Sequence, residues 1–280
     1  MIEIKPLGGK LGAEVRGVSL AKKMTEDVKE HLRSAFNEHI LLLFRNLVLD
    51  DERLKSSGDW LGELSHIHMP TSRRVGGDVN IQLISNIRND LGEEIGSFGD
   101  SDMWYHHDNS FSEAPDKATW LYAVQLPKTG GNTLFSNCYL SWEALPNRLK
   151  EKIVGKRVLQ VYDYTVQEYP DLSDLSTVPH HWQPAVIAHP ETKRPALYVN
   201  RLMSAAIEGL EQAEAEELLQ EIFPYVERCD YEHQWALEDY LIWDNRCSAH
   251  ARTGFPSTEK RLLKRGKVSG CPLEPFLMGT

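Results

Sequence analysis

Of the eleven histidines in this chain, only His106 is followed two positions later by an aspartate, Asp108. The pair lies in Trp104-Tyr105-His106-His107-Asp108-Asn109-Ser110-Phe111. In an extended strand alternate side chains share a face. His106 and Asp108 can then meet one metal ion while His107 points away. A third donor, His250, ends the stretch Ile242-Trp243-Asp244-Asn245-Arg246-Cys247-Ser248-Ala249-His250. Two imidazoles and one carboxylate on one face of a metal leave its other positions open, the ligand set of non-haem Fe(II) oxygenases. On its own, a His-x-Asp pair is commoner as a surface or turn feature.

The residues beyond His250 add a second chemistry. Arg261 and Arg265 follow it in Lys260-Arg261-Leu262-Leu263-Lys264-Arg265. On a strand both arginines share a face, about 13 Å apart at ~3.3 Å per residue. Guanidinium groups bind carboxylates through two parallel hydrogen bonds. Read alone, the run is a solvated charged stretch.

These residues need a scaffold. The chain has 280 residues, 41% hydrophobic, enough for one large core and one β-rich domain over 1–280. Thr25 to His39 reads as a helix, with Thr25 as N-cap and Val28, Leu32, Phe36 and Ile40 as an i, i+4 stripe. Asp50 to Leu64 and Ser141 to Ile153 read as helices, and so does Gln212 to Tyr225. Residues 2–20 read as two strands. Further strands are expected at Leu41 to Phe44, Asn80 to Leu83, Thr119 to Gln125, Asn132 to Phe135, Val158 to Tyr162, Ala185 to Ala188, Ala196 to Val199, Leu241 to Trp243 and Arg261 to Val268. Many short strands with a few flanking helices predict a mostly β fold with a jelly-roll (double-stranded β-helix) core. Two polar, irregular segments, near 88–104 and 164–183, are expected to act as lids.

The net charge of −10 and the lack of a basic run argue against nucleic acid or an anionic membrane as partner. The four cysteines form no CxxC, and no apolar run is long enough to span a bilayer. A soluble, cytoplasmic protein with reduced thiols is expected.

The chain resembles the taurine dioxygenase family of Fe(II)- and 2-oxoglutarate-dependent oxygenases. The elements that carry the resemblance are Gly62-Glu63-Leu64, Tyr105 to Phe111, Gly130-Gly131-Asn132-Thr133-Leu134-Phe135, His189-Pro190-Glu191-Thr192, Leu197-Tyr198-Val199-Asn200, Trp243-Asp244-Asn245-Arg246, and His250 followed by Arg261 and Arg265. Their order and spacing together are specific; no single one is. The resemblance implies His106, Asp108 and His250 as iron ligands, and Arg261 with Thr133 as binders of the distal carboxylate of 2-oxoglutarate. It places Arg265 and His68 where a substrate acid group binds, and Asp102 near a position that faces a substrate amine. The segment Gly62 to His68 is one residue longer than in the taurine enzyme, so His66 and His68 stay alternatives. The implied reaction hydroxylates a small organic acid, carboxylate or sulfonate, with O2, while 2-oxoglutarate becomes succinate and CO2. A non-catalytic or cupin-type metal protein is the alternative outside the family; an amino-acid hydroxylase of natural-product biosynthesis is one within it. Relatives often form dimers or tetramers. Arg265 is expected to lack an anionic partner until substrate binds.

Overall fold

The computed structural model describes residues 2–66, 80–162, 172–176 and 178–277. The chain begins β1 (Glu3–Pro6), β2 (Ala13–Arg16), α1 (Glu26–His39), β3 (Leu41–Phe44), α2 (Asp51–Ser56), β4 (Gln82–Ser85), β5 (Ser97–Phe98) and β6 (Met103–His106). It continues through β7 (Ala118–Gln125), β8 (Thr133–Asn137), α3 (Cys138–Ala144), α4 (Asn147–Ile153), β9 (Arg157–Val161), β10 (His180–Pro184), β11 (Val186–Ala188) and β12 (Pro195–Leu197). Last come β13 (Ser204–Ile207), α5 (Gln212–Val226), β14 (Tyr231–His233), β15 (Tyr240–Asp244), β16 (Ser248–Arg252) and β17 (Leu262–Val268).

Two sheets carry the architecture. The larger runs β1-β2-β3-β15-β7-β17-β4-β5, and the smaller runs β14-β8-β16-β6. The continuous apolar run of β3 makes sense in this setting. Leu41 and Leu43 face inward with Leu241 and Trp243 of β15, meeting Phe135, Ala249 and Ala251 of the smaller sheet. Leu42 and Phe44 face outward with Tyr240 and Ile242, under Leu32 and Phe36 of α1. A strand buried on both faces has no polar alternation to show.

α1 follows the expected pattern. The Thr25 hydroxyl accepts from Val28 N, Glu26 and Asp27 sit in the first turn, and Leu32, Ala35 and Phe36 are buried. Each large side chain so buried is worth about 1.5–3 kcal/mol, and Phe36→Ala would cost about 3–5 kcal/mol.

Two helices differ from expectation. The segment from Asp50 forms only Asp51–Ser56 before breaking into turns around Ser57 and Gly58, a poor helix former. The stretch Ser141 to Ile153 is split into α3 and α4, because Pro146 drives Leu145 out of the helical region, to ψ 134°. The two lid segments also change. The first contains β5, paired parallel to β4, and the start of β6. Of the second, residues 163–171 and 177 lie outside the described residues, and His180–Pro184 is a strand on β9. Among the described residues, no helix is long and apolar enough to cross a membrane.

Gly266, between Arg265 and Lys267 on β17, faces Trp120 of β7 in the ladder. A Cβ there would lie 2.2 Å from the Trp120 ring. The absence of a side chain lets β17, which carries Arg265, close onto β7.

Candidate active site

His106 ends β6 and His250 lies on β16, directly opposite in the ladder. That register brings the imidazole centroids to 4.1 Å. Asp108 is not on the strand, as alternation had implied; it falls in the turn after β6. The outcome is the same by another route. His106 Nε2 lies 3.8 Å from Asp108 Oδ1, and His250 Nε2 lies 4.0 Å from Asp108 Oδ2. One donor atom from each of the three buried residues falls within 4.8 Å of the others. Among the described residues, one other such trio exists, His189, Asp244 and Cys247. There, however, the Asp244 carboxylate is already paired with His189 at 3.0 Å and with Arg246 at 2.6 Å.

Asn245 fixes the Asp108 turn. Its Oδ1 accepts from Asp108 N at 2.7 Å, and its Nδ2 donates to the carbonyls of Asp108 at 2.7 Å and Asp116 at 3.0 Å. The Asp108 carboxylate accepts from the Thr119 hydroxyl at 2.7 Å and from Arg265 Nη1 at 3.1 Å. Burial pushes this carboxyl upward, but Arg265, His250 and Lys267 outweigh it and hold the group well below its usual range. It is an anion. Burial pushes His106 and His250 downward, so both are neutral. His106 Nδ1 lies 2.8 Å from the Trp104 carbonyl, which fixes its proton there and turns the Nε2 lone pair toward the other two groups. Two neutral imidazoles and an ordered carboxylate are the donor set an Fe(II) ion needs.

His107 turns away as expected, but it is fully buried rather than idle. Its ring packs on Tyr198 at 4.3 Å, between Asn200 and Cys138. Burial pushes its pKa down to about 3.

His106 and His250 of the trio line a cavity between the two sheets. Thr133, Trp243, Leu121, Ile84, Met103 and Phe98 line it, with Arg252, Arg261 and Arg265. The three arginines differ in their partners. Arg252 donates to the carbonyls of Phe98, Gly99 and Ser101 and so holds the loop before β6 over the cavity. Phe98 sits there at φ +73°, a strained value for this residue type. Arg265 was expected to lack an anionic partner; instead it pairs with Asp108 and donates twice to Gln82 Oε1, at 3.1 and 2.6 Å. The turn after β6 carries Asp108 back to β17, which alternation along β6 could not show.

Arg261 is the exception. It is 2% exposed and donates to Gly131 O at 3.1 Å, while its Nε is buried with no hydrogen-bond partner. Among the described residues no carboxylate forms an ion pair with it. Burial, reinforced by Arg252, pushes its pKa down to about 9. Gly131, at φ +68°, makes room: a Cβ there would sit 3.0 Å from Arg261 Nε. A buried cation without a counter-charge is costly, and a carboxylate of 2-oxoglutarate fits what it lacks.

Similarity to known proteins agrees with this geometry. Residues 3–266 match the family described as taurine catabolism dioxygenase TauD, TfdA family. The chain belongs to that family. It is 28% identical to pentalenolactone F synthase of Streptomyces avermitilis, over 96% of this chain and 94% of the relative. It is 29% identical to the (S)-phenoxypropionate/alpha-ketoglutarate-dioxygenase of Sphingobium herbicidovorans, over 96% of both. A solved taurine dioxygenase from Burkholderia xenovorans superposes with a TM-score of 0.79 at 25% identity, covering 96% of this chain and 91% of that one. As a TauD/TfdA member with these relatives, the protein is a 2-oxoglutarate-dependent dioxygenase.

The remaining expected residues fall in different places. Asp102 does not line the cavity; its Oδ1 accepts from Gly254 N at 2.6 Å and ties the loop to the end of β16. His66 has no place in the cavity lining, and His68 lies outside the described residues. Thr119, Asn245, Gln82 and Arg252 were missed. Asn245 stood within the Trp243-Asp244-Asn245-Arg246 motif, but nothing in the sequence told which backbone it would clamp. The other three carried no signal beyond their residue type.

Proposed function

We propose that His106, Asp108 and His250 hold Fe(II), and that Arg261 and Thr133 bind the distal carboxylate of 2-oxoglutarate. The observation that carries this reading is Arg261: a buried guanidinium with no carboxylate partner among the described residues, in the cavity that His106 and His250 line. When bound, Fe(II) and 2-oxoglutarate supply the family's chemistry, activation of O2 coupled to formation of succinate and CO2 with hydroxylation of a substrate C–H bond. The chain's own contribution is placement. Thr119 and Asn245 orient Asp108, the Trp104 carbonyl sets the His106 tautomer, and the apolar lining limits water around the reacting groups.

The substrate class we infer is a small organic acid. Among the described residues the cavity lining includes three arginines, and the carboxylate beside it, Asp108, belongs to the metal trio. Asp102, the group that would have read a substrate amine, is spent on Gly254. Arg265 has five N–H donors and uses three of them on Asp108 and Gln82; two remain for a substrate acid group beside the metal site. The relative that acts on (S)-phenoxypropionate is consistent with that class. The test is succinate release that requires both Fe(II) and 2-oxoglutarate, run on acids paired with their methyl esters. Succinate formed without added 2-oxoglutarate would refute the co-substrate assignment; equal rates on acids and esters would refute the substrate class.

A further inference from the structure

Thr133 lines the cavity, yet its hydroxyl is engaged from behind. Trp235, two residues past β14, donates its indole N–H to Thr133 Oγ1 at 3.0 Å. Trp235 is not part of the cavity lining; it borders a separate surface recess formed by Leu126 to Asn132. We propose that Trp235 is a positioning residue for the co-substrate, directing the Thr133 hydroxyl proton into the cavity toward the distal carboxylate of 2-oxoglutarate. The inference rests on the reading above that Thr133 meets that carboxylate.

The physics is that of a rotor with one position taken. A threonine hydroxyl carries one proton and can accept as well as donate, whereas an indole N–H can only donate. With Trp235 on its acceptor side, the hydroxyl cannot point its proton there, and accepting one hydrogen bond strengthens the one it gives. A carboxylate only accepts, so the hydroxyl must present its proton to bind one.

The indole is itself braced. Its ring meets His233 edge-on, with centroids 4.5 Å apart. His233 lies between the Tyr231 hydroxyl at 3.0 Å and Asp239 Oδ2 at 3.1 Å. Asp239 is held by Arg45 and by Ala236 N. The ladder places His233 opposite Thr133, so the brace and the hydroxyl share one frame.

The test measures binding of N-oxalylglycine, a non-reacting analogue of 2-oxoglutarate, to the Mn(II)-loaded protein by calorimetry. Trp235→Phe should weaken the analogue about three- to tenfold, the worth of one neutral hydrogen bond, and leave Mn(II) affinity unchanged. In a Thr133→Val background, Trp235→Phe should cost nothing further; in Thr133→Ser the cost should persist. The same loss in the Val background, or no loss where Thr133→Val does weaken binding, would overturn the inference. If Thr133→Val leaves binding unchanged, it is the placement of the carboxylate that fails, and the inference fails with it. Should Trp235→Phe not fold, the bond can be read in the 15N-indole spectrum of the Zn(II)-loaded protein. Thr133→Val should move one of the seven tryptophan N–H signals, and N-oxalylglycine should move the same one in the wild type. If no indole signal responds to Thr133→Val, the proposal is overturned.

Discussion

Replacing Arg261 by methionine should stabilise the ligand-free protein while removing its affinity for 2-oxoglutarate. The guanidinium is 2% exposed, has no carboxylate partner among the described residues, and burial lowers its pKa from the usual guanidinium range to about 9. At about 1.36 kcal/mol per pH unit, that sets roughly 5 kcal/mol against the charged form in the fold. Methionine keeps an apolar stem but loses the bond to Gly131 O, worth about 1 kcal/mol, and leaves that carbonyl to find water. The net gain should be about 1–3 kcal/mol, or roughly 2–6 °C in Tm for a chain of this size. Because the charged form is the disfavoured one, the penalty is fully present below about pH 9. It fades as the pH rises above that, so the advantage of methionine should shrink at higher pH. Loss of one partner from a buried ion pair costs about 2–5 kcal/mol, so N-oxalylglycine should bind about thirtyfold to several thousandfold more weakly. Thermal melts of the Mn(II)-loaded wild type and variant, with and without the analogue, read both effects. A methionine variant that melts below the wild type without ligand, or that keeps analogue affinity within threefold, would refute the reasoning.

His106→Ala, Asp108→Ala and His250→Ala should each abolish tight Mn(II) or Fe(II) binding by equilibrium dialysis, because the trio has no spare donor. His107→Ala should keep the metal yet lose about 2–4 kcal/mol of stability to denaturant, since its buried ring packs on Tyr198. Asn245→Ala frees the Asp108 turn and should weaken metal binding about 10–100-fold, and it should also lower stability, as three backbone groups lose a partner. Arg265→Leu should erase a preference for acids over their esters that the wild type shows by about tenfold or more; the same preference in both proteins would show that Arg265 does not read the acid group.

The residue types of the site could be read from the chain because metal and carboxylate chemistry admits few of them. His106, Asp108, His250, Thr133 and Arg261 all meet at one cavity or its rim. Partners were less legible. Alternation implied that Asp108 lies on the strand, whereas β6 ends at His106 and a turn clamped by Asn245 does the work. Sequence spacing could not show that this turn returns the carboxylate to Arg265, because the contact spans 157 positions and depends on two sheets closing together. Strands such as Leu41–Phe44 were legible because apolar runs have few other homes. Helix lengths were less so: Gly58 and Pro146 each cut an expected helix, and a stripe of apolar residues alone does not locate a break.

The three arginines of the cavity are chemically identical and cannot be ranked from sequence; their partners rank them. Arg252 is met by carbonyl oxygens, so its charge organises a loop and is largely spent there. Arg265 is met by Asp108, so an arriving substrate acid would share that arginine with a carboxylate already in place, which limits the affinity it can gain. Among the described residues Arg261 is met by one carbonyl and no anion, so a carboxylate bound to it would recover a desolvation cost the folded chain already bears. The strongest anion site should therefore lie at Arg261, and a weaker one, next to the metal ligands, at Arg265. That order suits ordered binding, in which 2-oxoglutarate is held firmly and the substrate acid lightly enough to leave as product.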